Sequence, residues 1–233
     1  MRRVLQFSGG KDSLACLTLL RAELDDVMVA WVNTGAAFPE TVALMEEVRS
    51  SVPHFMEIVS AQTIDSRGYP ADLPPVQASQ VGRLMTDKPG TRFQSRIECC
   101  AASLWMPMGH FIRELQPEVV IRGQKLADRR KSPIRSGQVV EGIRYEFPIE
   151  TWTDEDVFAY LAANKVRLPK NYRLMMTGLD CWNCTAYLDE NPGRMAYLRE
   201  HHPERFRHVR AVLADLKHEV DLEVAPLNNA LKE

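Results

Sequence analysis

The chain predicts an α/β fold, a doubly wound parallel sheet followed by a helical C-terminal extension. Three observations carry that prediction. Short apolar runs alternate with helical patterns from the N-terminus onward. The second run, Val27-Met28-Val29-Ala30-Trp31-Val32, is apolar without alternation, as in a parallel strand covered on both faces. A glycine-bearing turn separates the first run from the first helical pattern, at the strand end where ligands of such sheets bind.

Residues 4–7 form the first predicted strand and 13–24 the first helix. The run over 27–32 is the second strand, and a helix follows from about Glu40 to Ser50. Phe55-Met56-Glu57-Ile58-Val59 completes a βαβαβ order. Residues 62–98 lack periodicity and carry Gly68, Pro70, Pro74, Pro75, Pro89 and Gly90. They predict a long surface insertion that folds over the site or is mobile. A helix begins near Cys99 and runs, interrupted by Pro107, to Leu115. Val119-Val120-Ile121 is another buried strand, and Val139 to Ile149 adds one or two more. Thr153 suits a helix N-cap, with Asp154, Glu155 and Asp156 in the first turn. Asn191-Pro192 suits an N-cap with proline at the first helical position. Phe206, Val209, Val212, Leu213 and Leu216 recur at helical spacing and predict packing. His201, His202, Arg205, Arg207, His208 and Arg210 read as solvated positions on these last helices. The predicted organisation is one domain over residues 1–187, with the insertion at about 62–98, and a helical extension over 188–233.

Hydrophobic residues make up 45% of the 233 residues and charged ones 26%, the profile of a globular protein with a real core. The formal net charge of −2 gives no global basic footprint for nucleic acid. No apolar stretch approaches the roughly eighteen residues of a membrane span, so no membrane partner is predicted. Met1-Arg2-Arg3 leads directly into the first strand, which predicts a cytoplasmic protein without a leader. In that compartment cysteines serve as metal ligands or thiols more than as structural disulfides.

Ser8-Gly9-Gly10-Lys11-Asp12-Ser13 is the most informative stretch. Paired glycines let the backbone turn sharply and approach a ligand closely. The first amides of the following helix have no internal partner, and the helix dipole adds positive potential there. Ser8 and Ser13 add hydroxyls and Lys11 a charge, so the predicted ligand is a phosphate or pyrophosphate. The spacing is not that of a Walker A loop.

Four of the five cysteines fall into two local pairs. Cys99 and Cys100 are adjacent, and Cys181 and Cys184 form a CxxC about eighty residues later. Four thiolates suit a tetrahedral metal or a [4Fe–4S] cube. Adjacent cysteines seldom serve structural zinc, and the spread corners of a cube tolerate them better. Spacing leaves open a second reading, in which Cys99 and Cys100 are buried fillers and the CxxC is a lone redox pair. Cys16, among Leu and Ala of the first helix, reads as core.

The SGGxDS stretch resembles the PP-loop of the ATP pyrophosphatases. With the two cysteine pairs it makes the chain resemble the phosphoadenylyl-sulfate/adenylyl-sulfate reductase family over about residues 4 to 187. Asn33-Thr34-Gly35-Ala36-Ala37-Phe38-Pro39-Glu40-Thr41 is similar to the family's DTGxxFPET segment. Ile121-Arg122-Gly123 with Arg129-Arg130-Lys131-Ser132-Pro133 resembles its arginine-bearing loop. Pro148 to Val157 resembles its PLxxWTxxDV helix start. The resemblance implies an adenosine-nucleotide site in the 1–187 domain, for ATP, adenylyl sulfate or its 3′-phosphorylated form. Ser8, Gly9, Gly10, Lys11, Asp12 and Ser13 would hold the anionic end. Asn33, Thr34 and Gly35 would lie beside the nucleotide, and Arg122, Gly123, Arg129 and Arg130 near the anionic groups. It also implies a [4Fe–4S] cluster on Cys99, Cys100, Cys181 and Cys184, with zinc as runner-up.

Three departures bear on activity. The reductases carry a catalytic cysteine near the C-terminus, and no cysteine follows Cys184 in these 233 residues. Leu104 stands where the family has a basic residue four positions after Cys-Cys, and Asn33 replaces Asp. Three functions follow as expectations. One is sulfonucleotide reduction with the attacking thiol supplied by a partner such as thioredoxin. The second is a PP-loop sulfurtransferase that uses ATP and Mg²⁺ to adenylate tRNA or DNA, with Gln124 to Arg135 holding a nucleic-acid backbone. The third is a nucleotide-binding module whose metal only staples the CxxC region to the sheet.

Overall fold

The computed structural model describes residues 2–129, 131–179 and 181–232, with Asp65 described by its backbone alone. Five parallel strands and one antiparallel edge strand form the main sheet, in the order β3-β2-β1-β6-β8-β7. These are β1 (Arg3–Gln6), β2 (Val27–Asn33), β3 (Phe55–Val59), β6 (Val119–Ile121), β7 (Val139–Val140) and β8 (Ile143–Glu146). The chain runs outward from β1 to β3, then returns to lay β6 on the other side of β1. That reversal places the C-terminal end of β1 at the topological switch point, where open α/β sheets bind ligands.

The two faces of the sheet are visible in adjacent residues. Leu5 packs with Leu14 of α1 (Lys11–Leu19), Met45 of α2 (Pro39–Ser51), and Val157 and Leu161 of α7 (Asp154–Ala163). Val4 faces the opposite way, against Ile112 of α6 (Met106–Leu115), Val120 and Ile143. Burial on both sides is why β2 reads as a continuous apolar run. Cys16 is fully buried in the first cluster, and burial pushes its thiol up to about 12, as its reading as core requires.

The insertion is ordered. It contains α3 (Ile64–Arg67), α4 (Gln80–Thr86) and a parallel pair formed by β4 (Tyr69–Ala71) and β5 (Phe93–Ser95). The runs are too short to show a period, and the apolar residues of α4, Val81, Leu84 and Met85, are exposed. Ala71, Ala78 and Phe93 complete their cluster with Val212 of α9 (Pro203–Ala230).

Three element boundaries differ from the sequence reading. The first helix, expected over 13–24, spans Lys11–Leu19, and a separate 3-10 turn at Arg21–Asp26 follows it. The helix expected near Cys99 begins earlier, as α5 (Arg96–Cys100), and passes through a π-helical turn at Ala101–Trp105 into α6. Pro107 sits at the start of α6, where a missing N–H costs least, so it follows the π turn without breaking the helix. α8 (Gly193–His201) is preceded by Pro192 as its cap, one position later than expected. Thr153 caps α7 as expected, accepting from Asp156 N while Asp156 Oδ2 accepts from Thr153 N at 2.8 Å.

Two terminal-helix residues read as solvated are packing residues. His202 lies at 2.9 Å from Glu40 and edge-on to Phe38, and Arg205 over Trp182, whereas His208 is exposed as expected, with its ring at 2.7 Å from the Tyr69 hydroxyl. Among the described residues no helix is long and apolar enough to cross a membrane.

A candidate nucleotide and cysteine site

The turn after β1 is built by its own hydroxyls. Gly9 takes φ +78° between Leu44 and Met45 of α2, each 3.0 Å from where a Cβ would stand. Any side chain there would clash and strain the backbone. Ser13 Oγ donates to Gly10 O at 3.0 Å and lies 3.3 Å from Ser8 Oγ. The Lys11 amide, at the start of α1, donates to the Tyr172 hydroxyl at 2.8 Å. The helix terminus therefore carries polar partners that an anion can replace.

Lys11 and Asp12 do not line the cavity beside this turn. Lys11 is 4% exposed, and its Nζ reaches Asp12 at 3.0 Å and Asp154 at 2.5 Å. Lys125, 2% exposed, completes the network with Asp12 at 2.7 Å, Asp128 at 3.0 Å and Asp154 at 3.2 Å. Burial works against the Lys125 charge, and bonds to Asp12 and Asp128 outweigh it, leaving its pKa above the ordinary value. The lysine expected to supply charge to an anion instead ties α1 to α7. Sequence reasoning placed Lys125 only within a basic run. Its distinguishing signal is the pair of acids, Asp12 and Asp154, each at the start of a helix.

Gly123 makes the second close approach. A Cβ on it would meet Asp12 C at 2.7 Å and Ser13 N at 3.0 Å, so the loop after β6 lies directly on the PP-loop helix start. Arg122 is half-buried. Its guanidinium lies over the Tyr145 ring at 5.1 Å, and one terminal nitrogen is 3.5 Å from Ser132 Oγ. Its Nε has no hydrogen-bond partner among the described residues. Burial holds its pKa below the ordinary value, with Tyr145 opposing in part.

A cavity of about 290 Å³ lies at the end of β1. Its walls include Ser8, Thr34, Arg122, Cys181 and Leu104, so it joins the PP-loop, the segment after β2, the arginine loop and the CxxC. Trp31 and Trp105 also line it and were not anticipated. Asn33 turns aside, donating to Glu57 at 2.8 Å and accepting from the Gly35 amide at 2.9 Å. Gly35 borders a smaller cavity of about 110 Å³, shared with Cys181 and Asn183. Arg129 is exposed on a separate chamber, and Arg130 lies outside the described residues.

The thiols divide unevenly. Burial, with Cys100 and Cys184 adding repulsion, pushes Cys99 up to about 11, so these three are electrostatic neighbours. Cys100 Sγ lies 3.3 Å from the Tyr187 hydroxyl. Cys181 Sγ lies 3.3 Å from Thr34 Oγ1, on the cavity wall. Among the described residues no three Cys, His, Asp or Glu side chains are gathered as one metal ion requires. The gathering expected for a metal on Cys99, Cys100, Cys181 and Cys184, iron–sulfur or zinc, is therefore not seen among the described residues. Four thiols on two adjoining segments keep the donor chemistry of a soft metal or cluster.

A doubly wound sheet with SGGxDS at its switch point defines an α/β protein of the PP-loop type. The phosphoadenosine phosphosulfate reductase domain family matches residues 2–187, and the chain belongs to that family. It is 27% identical over 162 residues to phosphoadenosine 5′-phosphosulfate reductase of Proteus mirabilis, covering 68% of this chain and 60% of the relative. It is also 27% identical over 195 residues to sulfate adenylyltransferase subunit 2 of Streptomyces lavendulae, covering 73% and 56% respectively. The chain thus matches well under two thirds of either relative's length. Among solved structures, phosphoadenylyl-sulfate reductase from Candida auris, in a phosphate complex, aligns with a TM-score of 0.54 at 16% identity. That alignment covers 78% of this chain and 82% of the other, a likeness of fold.

Proposed function

We propose that the chain binds the anionic end of an adenosine nucleotide at the PP-loop and acts in sulfur transfer or sulfonucleotide reduction. The observation that supports this is the cavity wall shared by Ser8, Thr34, Arg122 and Cys181. Amides of the turn and the α1 terminus supply preorganised donors to the phosphate or sulfate. Gly123 keeps the arginine loop against that turn, so Arg122 can meet developing negative charge. Mg²⁺ accompanies the nucleotide when it is ATP. We assign Cys99, Cys100, Cys181 and Cys184 to a [4Fe–4S] cluster, which when bound supplies electrons or holds sulfur at the cavity wall.

The names of the relatives divide between reduction of a sulfonucleotide and adenylyl transfer, and so do the readings here. In the first reading the attacking thiol comes from outside these 233 residues, as a partner such as thioredoxin would supply it. In the second reading an acceptor on tRNA or DNA attacks the α-phosphorus of ATP, and pyrophosphate leaves. That reading draws on the exposed cations Arg129, Lys131 and Arg135; Lys125, buried among carboxylates, takes no part in it.

The test is calorimetric titration with ATP, adenylyl sulfate and 3′-phosphoadenylyl sulfate, followed by product assays on protein purified anaerobically. Sulfite released from a sulfonucleotide with thioredoxin supports reduction. Pyrophosphate released from ATP and stimulated by RNA or DNA supports adenylyl transfer. Gly123→Ala should weaken nucleotide binding at least tenfold, because its Cβ would stand 2.7 Å from the backbone of Asp12. Binding of none of the three nucleotides would sink the proposal. A broad visible absorbance lost in Cys184→Ala tests the cluster separately.

A further inference from the structure

A second chamber of about 900 Å³ adjoins the nucleotide cavity, three times its volume. Gln6, Trp105, Met108 and Arg122 are walls of both. α6 and the β7–β8 hairpin form its far side through Gly109, Ile112, Val140 and Ile143. Its charge is one-sided. Arg113, Arg122, Arg129 and Lys131 line it, against Glu141 as the carboxylate among its described residues. Lys131 is already held by the carbonyls of Leu126 and Asp128. Among the described residues Arg122 has no carboxylate partner, and its Nε has no acceptor. A cation removed from water without a counter-charge favours an anion beside it. The remaining surface is apolar and partly flat: Trp105 is 55% exposed and Ile97 47% exposed. A chamber that is large, mostly apolar and carries a few convergent polar groups is the form of an organic-ligand site.

We infer that this chamber binds a second substrate, a planar organic anion whose charged end meets Arg122 at the partition. The flat body lies against Trp105 and the apolar side of α6. Its role as second substrate rests on the nucleotide reading above; binding itself does not. Gly109 gives a way to test the site without disturbing the PP-loop. A Cβ there meets only the Arg113 guanidinium, at 3.5 Å, so a larger side chain can extend into the chamber.

The probes are 8-anilinonaphthalene-1-sulfonate, a planar anion, and N-phenyl-1-naphthylamine, its uncharged counterpart. The intact chain should bind the sulfonate at one saturable site at least tenfold more tightly than the amine. Gly109→Leu should weaken sulfonate binding tenfold or more, with ATP affinity and melting temperature unchanged. Arg122→Gln should abolish the preference for the anion. Displacement by 1-naphthoate marks an aromatic acid as the natural class, whereas displacement by AMP makes the chamber part of the nucleotide site and overturns the second-substrate assignment. Displacement by neither overturns the assignment. So does equal affinity for both probes, or binding that survives Gly109→Leu and disappears in Leu84→Ser on the exposed face of α4. If the sulfonate site responds as expected but no nucleotide binds at the PP-loop, the site stands and the functional reading falls. If nucleotide binds and the sulfonate does not, the reverse holds.

Discussion

The main sheet and the unit made by the insertion with α9 are held together in opposite ways. In the sheet, helices cover both faces, and Lys11 and Lys125 are buried among three carboxylates at the ligand-binding edge. In the second unit the apolar cluster is small, Ala71, Ala78, Phe93 and Val212. Polar ties complete it: Arg83 to Glu219, Thr91 to Asp215 at 2.7 Å, and the Gln77 amide to Glu223 at 2.9 Å. The first unit concentrates its charge at one place and gains a fixed loop geometry. The second spreads its ties along one helix, so it can open locally while the sheet persists.

Lys125→Met should give the largest effect. It leaves Asp12 and Asp128 without their shared cation, and losing one partner of a buried pair costs about 3 kcal/mol. Thermal unfolding should shift as a single transition, and nucleotide affinity should fall with it. A melting temperature within a degree of wild type would mean the network is incidental to the sheet. Phe93→Ala removes the largest residue of the small cluster, at a cost of about 3 kcal/mol confined to its unit. Hydrogen exchange should quicken over 69–95 and 203–216, while amides of β1 and β2 keep their protection. Quickening of both would show the two units to be one cooperative structure.

Arg83→Gln breaks the tie to Glu219, whose side chains are 10% and 18% exposed. The loss should be about 1.5 kcal/mol, visible in the same local exchange. The smallest effect is acid sensitivity. Burial pushes Asp154 up, but the hydrogen bond and charge of Lys11, with the charge of Lys125, leave it below its ordinary 3.8. A depressed carboxylate gives stability above its unfolded value and loses it as pH falls through the folded one. Wild type should therefore lose stability progressively below about pH 4, and Asp154→Asn should flatten part of that slope in acid denaturation. Glu40, also lowered from 4.5, supplies a similar slope from the α8–α9 side, so the remaining slope sharpens the division.

Legibility followed the same division. The strands over 27–32 and 119–121, the cap at Thr153 and the core place of Cys16 were plain, because local pattern encodes burial on both faces and capping. The insertion reads only as a long surface excursion because its strands are three residues each and the side chains that anchor it lie on α9, more than a hundred residues away. His202 reads as solvated because its partners, Glu40 and Phe38, lie far earlier in the chain. Lys11 was read as an anion ligand because it stands inside the loop motif. Its side chain turns away because Asp154, far along the chain, offers a closer carboxylate.

By itself the sequence determined the central strands, the turn after β1 and the two cysteine pairs, since each depends on neighbours a few positions apart. Tertiary structure alone decided that Lys125 closes a buried ion network, that Cys181 faces the PP-loop cavity, and that a larger basic chamber shares Arg122 with it. Those outcomes depend on which distant segments meet, and no local pattern records the distance between two side chains that come together only when the sheet is assembled.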